Sequence, residues 1–244
     1  IGPITRETPF IQNQLEFTKK ILDRCDPDAY SLGTLHGITA SAIHPIEADY
    51  GYDPVRTLLT EHLRANSAPV LDAMKRIADG MCQLAWGYKE AGVDGVYYAA
   101  LGAETRWFTD EEFDRWIAPL DKLLLSEIQK AGCHVFLHIC KDGLNMERYR
   151  SYGDYCDVVN WGGYEVPYSL EEGKKLFPGK TLMGGLANRS GPLVEGTQEE
   201  LAAAVAQVVE TAGTQGFILG ADCTLPTEIP TQRIRWVMEA LRAL

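Results

Sequence analysis

The chain has 244 residues, 45% of them apolar, enough for one large domain or two small ones with a substantial core. It carries 34 acidic against 23 basic residues, a formal net charge of −11 with no basic run, which argues against nucleic acid and anionic membranes as main partners. No stretch approaches the ~20 continuous apolar residues of a membrane span, no signal peptide opens the chain, and Ile1 in place of Met reads as an internal start.

Residues 1–26 read as a lead-in with Pro3 and Pro9, then a helix on which Phe10, Leu15, Phe17 and Ile21 recur. Residues 30–35 read as a strand ending at His36-Gly37. Residues 39–52, with Pro45 and Gly51, read as a loop or lid, and 54–65 as a short helix. Ser67 is positioned to cap a helix whose inner face is Val70, Met74, Ile77, Met81, Ala85 and Tyr88, ended by Gly92. A strand over 93–98 follows. Thr109 and Glu112 make a capping box before the apolar stripe of Phe113, Trp116, Ile117, Leu120, Leu124 and Ile128.

The same alternation continues beyond the strand at 133–138. Strands are expected over 157–161, 181–184 and 216–220, and a short helix over 169–177. Thr197 and Glu200 form a second capping box, opening a helix with Leu201, Val205, Val208 and Val209 inside. A last helix from about Thr231 is expected to bury Ile234, Val237, Met238 and Leu241. Repeated strand–helix order implies a parallel sheet flanked by helices, a closed barrel or an open doubly wound sheet. No Gly-x-Gly-x-x-Gly turn follows any strand, which removes the main mark of a dinucleotide-binding sheet. The preferred class is therefore α/β, a (β/α)8 barrel with six strands evident, in a single domain over 1–244.

In such folds chemistry collects at the C-terminal ends of strands. The polar residues there are His36, Glu104, His138, Cys140, Asn160, Glu165, Asn188, Arg189, Asp222 and Cys223. His138 and Cys140 are two apart at a strand end, so they share a side and can offer an imidazole and a thiol to one point. Taken alone, that pair is better explained as a satisfied core histidine beside a buried thiol. Cys223 follows its own strand in the same way. His138, Cys140 and Cys223 together make a three-ligand zinc set with one position open, the arrangement of catalytic zinc. The other cysteines, Cys25, Cys82, Cys133 and Cys156, read as buried thiols. Six dispersed cysteines form no disulfide framework, which places the chain in a reducing cytoplasm.

Most of the chain from Pro27 onward resembles the uroporphyrinogen decarboxylase superfamily. The residues that carry the resemblance are 91–95 (AGVDG), 108–113 (FTDEEF) with Pro119, 135–140 (VFLHIC), Gly184-Gly185, 195–200 (EGTQEE) and 216–220 (GFILG). Members are (β/α)8 barrels, commonly longer at the N-terminus, which implies a truncated or incomplete barrel here. The decarboxylase branch uses an arginine-rich N-terminal segment and a His after the last strand. This chain has only Arg6 and Arg24 in its first 30 residues, and Ala221-Asp222-Cys223 after that strand. The cobamide-dependent methyltransferase branch instead carries a His-x-Cys…Cys zinc motif, which His138, Cys140 and Cys223 match in order.

That resemblance implies a zinc-dependent methyltransferase moving a methyl group between a corrinoid protein and a small thiol of the coenzyme M kind, or a pterin. No Asp-x-His-x-x-Gly motif occurs in the chain, so the methylcobamide is expected on a partner protein. Asp222 is expected to orient His138 from behind the metal site, and Glu165 is a candidate fourth ligand. His36, Glu104, Asn160 and Asn188 are candidate substrate contacts. Asn188-Arg189 stands where the family has Asn-x-Asp-Pro. A porphyrinogen decarboxylase and a non-catalytic binding barrel are the competing functions.

Overall fold

Helix and strand alternate along the chain in a computed structural model that describes residues 2–164, 166 and 168–244. Six strands form one sheet, β1 (Leu32–His36), β2 (Gly95–Ala100), β3 (His134–Ile139), β4 (Val158–Trp161), β5 (Thr181–Leu186) and β6 (Phe217–Ala221). Their order in the sheet is β1-β2-β3-β4-β5-β6, and the β1/β2, β4/β5 and β5/β6 pairs are parallel. A doubly wound sheet reverses its order at a switch point; this one never does, which is the winding of a (β/α) barrel. All of β4 and five of the six residues of β3 are buried, as expected for strands covered on both faces. The six strands are those the sequence marks.

The chain divides into two compact units, Ile1–Leu137 with Gly143–Asp157, and His138–Asp142 with Val158–Leu244. The first contains α1 (Pro9–Leu22), α2 (Ile38–Tyr50), α3 (Tyr52–Ala91), α4 (Asp110–Glu112) and α5 (Ala118–Ala131). Residues 39–50 are thus helix and not loop, and Gly51 alone separates α2 from α3. Ile38, Ala40 and Ile43 of α2 are buried, and that burial outweighs the backbone donor that Pro45 lacks. α3 is two helices meeting at Asn66 (φ −159°, ψ 93°), one residue before the expected cap. The capping box of Thr109 and Glu112 is present, and a wide turn over Phe113–Ile117 joins α4 to α5. Asp121 of α5 is fully buried between the hydroxyls of Tyr98 and Tyr152, both of which donate to it. Cys133 and Cys156 are buried, but Cys25 is exposed just past the end of α1 and Cys82 is half-buried.

The second unit contains α6 (Leu170–Leu176), α7 (Gln198–Ala212) and α8 (Thr231–Arg242). Ser169–Glu172 and Thr197–Glu200 form capping boxes that start α6 and α7 by satisfying backbone donors of the first turn. Leu186, Leu193, Leu201 and Val205 make a local core, with Trp236, Val237 and Ala240 of α8 against it. The expected burial along α8 is therefore rotated. Ile234, Met238 and Leu241 are 42%, 47% and 45% exposed, because α8 turns the Trp236–Val237–Ala240 arc toward α7.

Candidate metal centre

The second unit carries every ligand of the proposed set. His138 is buried near the end of β3, and Cys140 follows one residue beyond the strand end, two positions on and so on the same side. Lys141 then adopts a φ of 87°, uncommon for a residue with a side chain, and turns the chain away directly after the thiol. Cys223 stands just past the end of β6. Its Sγ lies 3.3 Å from His138 Nε2 and 3.9 Å from Cys140 Sγ. The three candidate ligand atoms all lie within 4.8 Å of one another, so residues more than eighty positions apart converge on one point.

Asn160 of β4 fixes the imidazole. Its Nδ2 donates to Met183 O at 2.9 Å and Ala221 O at 3.3 Å, which leaves Oδ1 facing His138 Nδ1 at 2.5 Å. The network therefore assigns the proton to Nδ1 and the lone pair to Nε2, the atom that faces Cys223. Metal-ligating histidines are held in this way through their other ring nitrogen.

The spacing suits a tetrahedral zinc. With Zn–S of about 2.3 Å and Zn–N of about 2.05 Å, tetrahedral angles put sulfurs ~3.8 Å apart and sulfur ~3.5 Å from nitrogen. The observed 3.9 Å and 3.3 Å match both. Two thiols and an imidazole are also the donors zinc prefers. The thiols are already poised unequally. Hydrogen bonding to Cys140, and then to His138, holds the Cys223 thiol far below its ordinary range; the same sulfur contact, with burial, pushes Cys140 up.

The remaining expected residues divide between the units. Asp222, 2% exposed, accepts the Tyr164 N–H at 3.1 Å through Oδ2, while Asn160 is the residue that meets His138 Nδ1. Asn188 is buried and donates to Thr224 O at 2.9 Å, which ties the end of β5 to the turn carrying Cys223. Glu165 lies outside the described residues. His36 and Glu104 belong to the first unit. His36 is exposed and faces His44 with Nδ1 atoms 3.2 Å apart. Glu104 is 2% exposed, accepts the Gly102 N–H at 2.8 Å and lies 3.9 Å from buried Arg56. Its carboxylate is engaged within that unit's interior.

A cavity of about 380 Å³ lies in the second unit, lined by residues of β4, β5, α6, α7 and the loops beside them, with Asp222 at its edge. Gly184 (φ 149°) forms part of its wall, and a side chain there would be strained by the backbone alone. Sequence reasoning did not anticipate this cavity. The one signal for it was Gly184-Gly185 inside a strand, which marks a close approach or an opening.

Comparison with known proteins locates the fold. The chain is similar to a methyltransferase from Methanosarcina mazei at 17% identity and a TM-score of 0.76, covering 94% of this chain and 63% of that one. It is similar to a B12-independent methionine synthase from Shewanella sp. W3-18-1 at 16% identity and a TM-score of 0.61, covering 100% and 67%. The chain thus spans under two thirds of the length of the Methanosarcina protein. No curated protein matches it in sequence. Among the described residues no helix is long and apolar enough to cross a membrane. Residues 50–244, most of the chain, match the family described as uroporphyrinogen decarboxylase (URO-D), and the chain belongs to that family.

Proposed function

We propose that the chain is a zinc-dependent methyltransferase that transfers a methyl group between a corrinoid carried by a partner protein and a small thiol or pterin. The observation that carries this reading is the convergence of His138, Cys140 and Cys223 within 4.8 Å, with Asn160 presetting the tautomer of His138. When bound, zinc would supply Lewis acidity that makes a substrate thiol a nucleophile at neutral pH. The chain's own residues do the positioning. Asn160 aims His138 Nε2, and Asn188 holds the turn that presents Cys223. Three protein ligands leave one coordination position for the substrate.

Fold likeness to a methyltransferase and to a methionine synthase supports methyl transfer as the reaction class. The corrinoid carrier follows from the motif resemblance in the sequence, and it is the finer part of the proposal. The family's own description favours a second reading, decarboxylation of a porphyrinogen.

Metal content decides first. The wild type should hold about one zinc per chain after purification, and Cys223→Ala should hold little. A folded wild type that takes up no zinc sinks the proposal. Methyl transfer from a methylated corrinoid protein to coenzyme M, homocysteine or tetrahydrofolate should then depend on that metal. Release of carbon dioxide from uroporphyrinogen, with no methyl transfer, would establish the second reading.

A further inference from the structure

A second, much smaller cavity of about 10 Å³ lies in the first unit, just past the C-terminal end of β2. Thr39 of α2, Arg56 of α3, and Glu104 and Trp107 of the segment between β2 and α4 line it, beside apolar Ile43 and Leu101. Three polar atoms of these residues are buried without a hydrogen-bond partner: Thr39 Oγ1, Arg56 Nη2 and Trp107 Nε1. Thr39 and Arg56 are 3% and 4% exposed, so the surface does not serve them. The other terminal nitrogen of Arg56 is engaged, donating to Glu47 Oε2 at 3.1 Å and to Tyr52 O at 2.9 Å. Glu104 accepts the Gly102 N–H through Oε2, while its Oε1 stands 3.9 Å from Arg56 Nε, too far for a direct hydrogen bond.

A buried donor or acceptor left unmade costs its full desolvation, and three around one cavity call for a shared partner. The cavity has the room of one water, and a buried water needs two to four polar partners. Charge argues for a neutral guest. An anion would meet the carboxylates of Glu47 and Glu104 around a single guanidinium, and a cation would face the N–H groups of Arg56 and Trp107. We propose that this cavity is a binding site for one ordered water. It accepts from Arg56 Nη2 and Trp107 Nε1 and donates to Thr39 Oγ1 and to the Glu104 carboxylate. A bridging water also accounts for an ion pair held at 3.9 Å. Glu104 then serves as part of an internal joint between α2, α3 and the end of β2, and not as a substrate contact. The joint uses none of the three metal-ligating side chains, so it stands or falls separately from the metal.

A high-resolution crystal structure of the wild type, from crystals soaked in bromide, tests this. One peak within hydrogen-bond distance of Arg56 Nη2, Trp107 Nε1 and Thr39 Oγ1, with no anomalous bromide signal, is the expected result. An anomalous peak at that place, which would make the guest an anion, overturns the proposal, and so does a cavity with no peak. A double-mutant cycle in urea adds a measurement in solution. Thr39→Val and Trp107→Phe keep the shape of each side chain and remove its polar atom. Because both atoms are proposed to meet the same water, their effects on the unfolding equilibrium should depart from additivity by ~3-fold or more. Additive effects would mean that the two residues share no water, and would overturn the proposal as well.

Discussion

The side-chain oxygen of Asn160 lies 2.5 Å from His138 Nδ1, and the asparagine is itself locked by two backbone carbonyls on β5 and β6. Neither residue can rotate alone. Asn160→Ala should therefore lower zinc affinity ~10- to 100-fold while His138, Cys140 and Cys223 stay in place. Competition against a chromophoric chelator measures it, and Asn160→Asp, which keeps an acceptor toward Nδ1, should recover most of the loss. Unchanged affinity in Asn160→Ala would mean the imidazole is held by something else.

Asp121 sets a pH dependence of stability. Burial pushes its carboxyl up to about 7, against the hydroxyls of Tyr98 and Tyr152 that donate to it. An unfolded aspartate titrates near 3.9, so between those values the folded chain holds a proton that the unfolded chain has lost. Its stabilising contribution is full below about pH 4 and disappears as pH rises through about 7, a span worth roughly 4 kcal/mol. Asp121→Asn cannot ionise, so its urea midpoint should fall less than that of the wild type between pH 5 and pH 8. Parallel pH profiles for the two proteins would rule this out.

Gly173 reverses an ordinary helix rule. Alanine in a helix interior is usually better than glycine by ~1 kcal/mol. Here a Cβ would stand 2.2 Å from the Cη2 atom of Trp161, whose ring is buried and tethered through its N–H to Tyr168. Gly173→Ala should cost ~1–3 kcal/mol in urea unfolding and shift the Trp161 fluorescence. A stabilised variant would show that the indole can move aside.

The convergence of His138, Cys140 and Cys223 was readable in the sequence because parallel strands bring their C-terminal ends to one rim, so it needed no knowledge of their separation. Asn160 was also on that rim, but its service to His138 depends on how neighbouring strands are registered, which no local pattern encodes. α2 was hidden by Pro45 and Gly51, residues that usually end helices, whereas buried Ile38 and Ile43 hold this one together. On α8, periodicity found an apolar face at Ile234, Val237, Met238 and Leu241, of which Val237 packs against the core. The contacts with α7 fall on a neighbouring arc, a choice made by packing rather than by pattern. Glu104 looked like a rim acid until its neighbours were known. Arg56 and the Gly102 amide draw it inward.

Cys140 and Cys223 are 83 positions apart in the chain, yet their sulfurs are 3.9 Å apart. A metal held between them would act as a clasp around β4, β5 and β6, closing a long loop in the unfolded chain as a disulfide does. Chain entropy assigns such a closure roughly 4 kcal/mol, before any gain from the ligand bonds themselves. Folding of the second unit and loading of its metal would then be one linked equilibrium. Adding a chelator should lower the melting temperature of the wild type by several degrees or more and leave Cys223→Ala unmoved; equal shifts in both would mean no clasp exists.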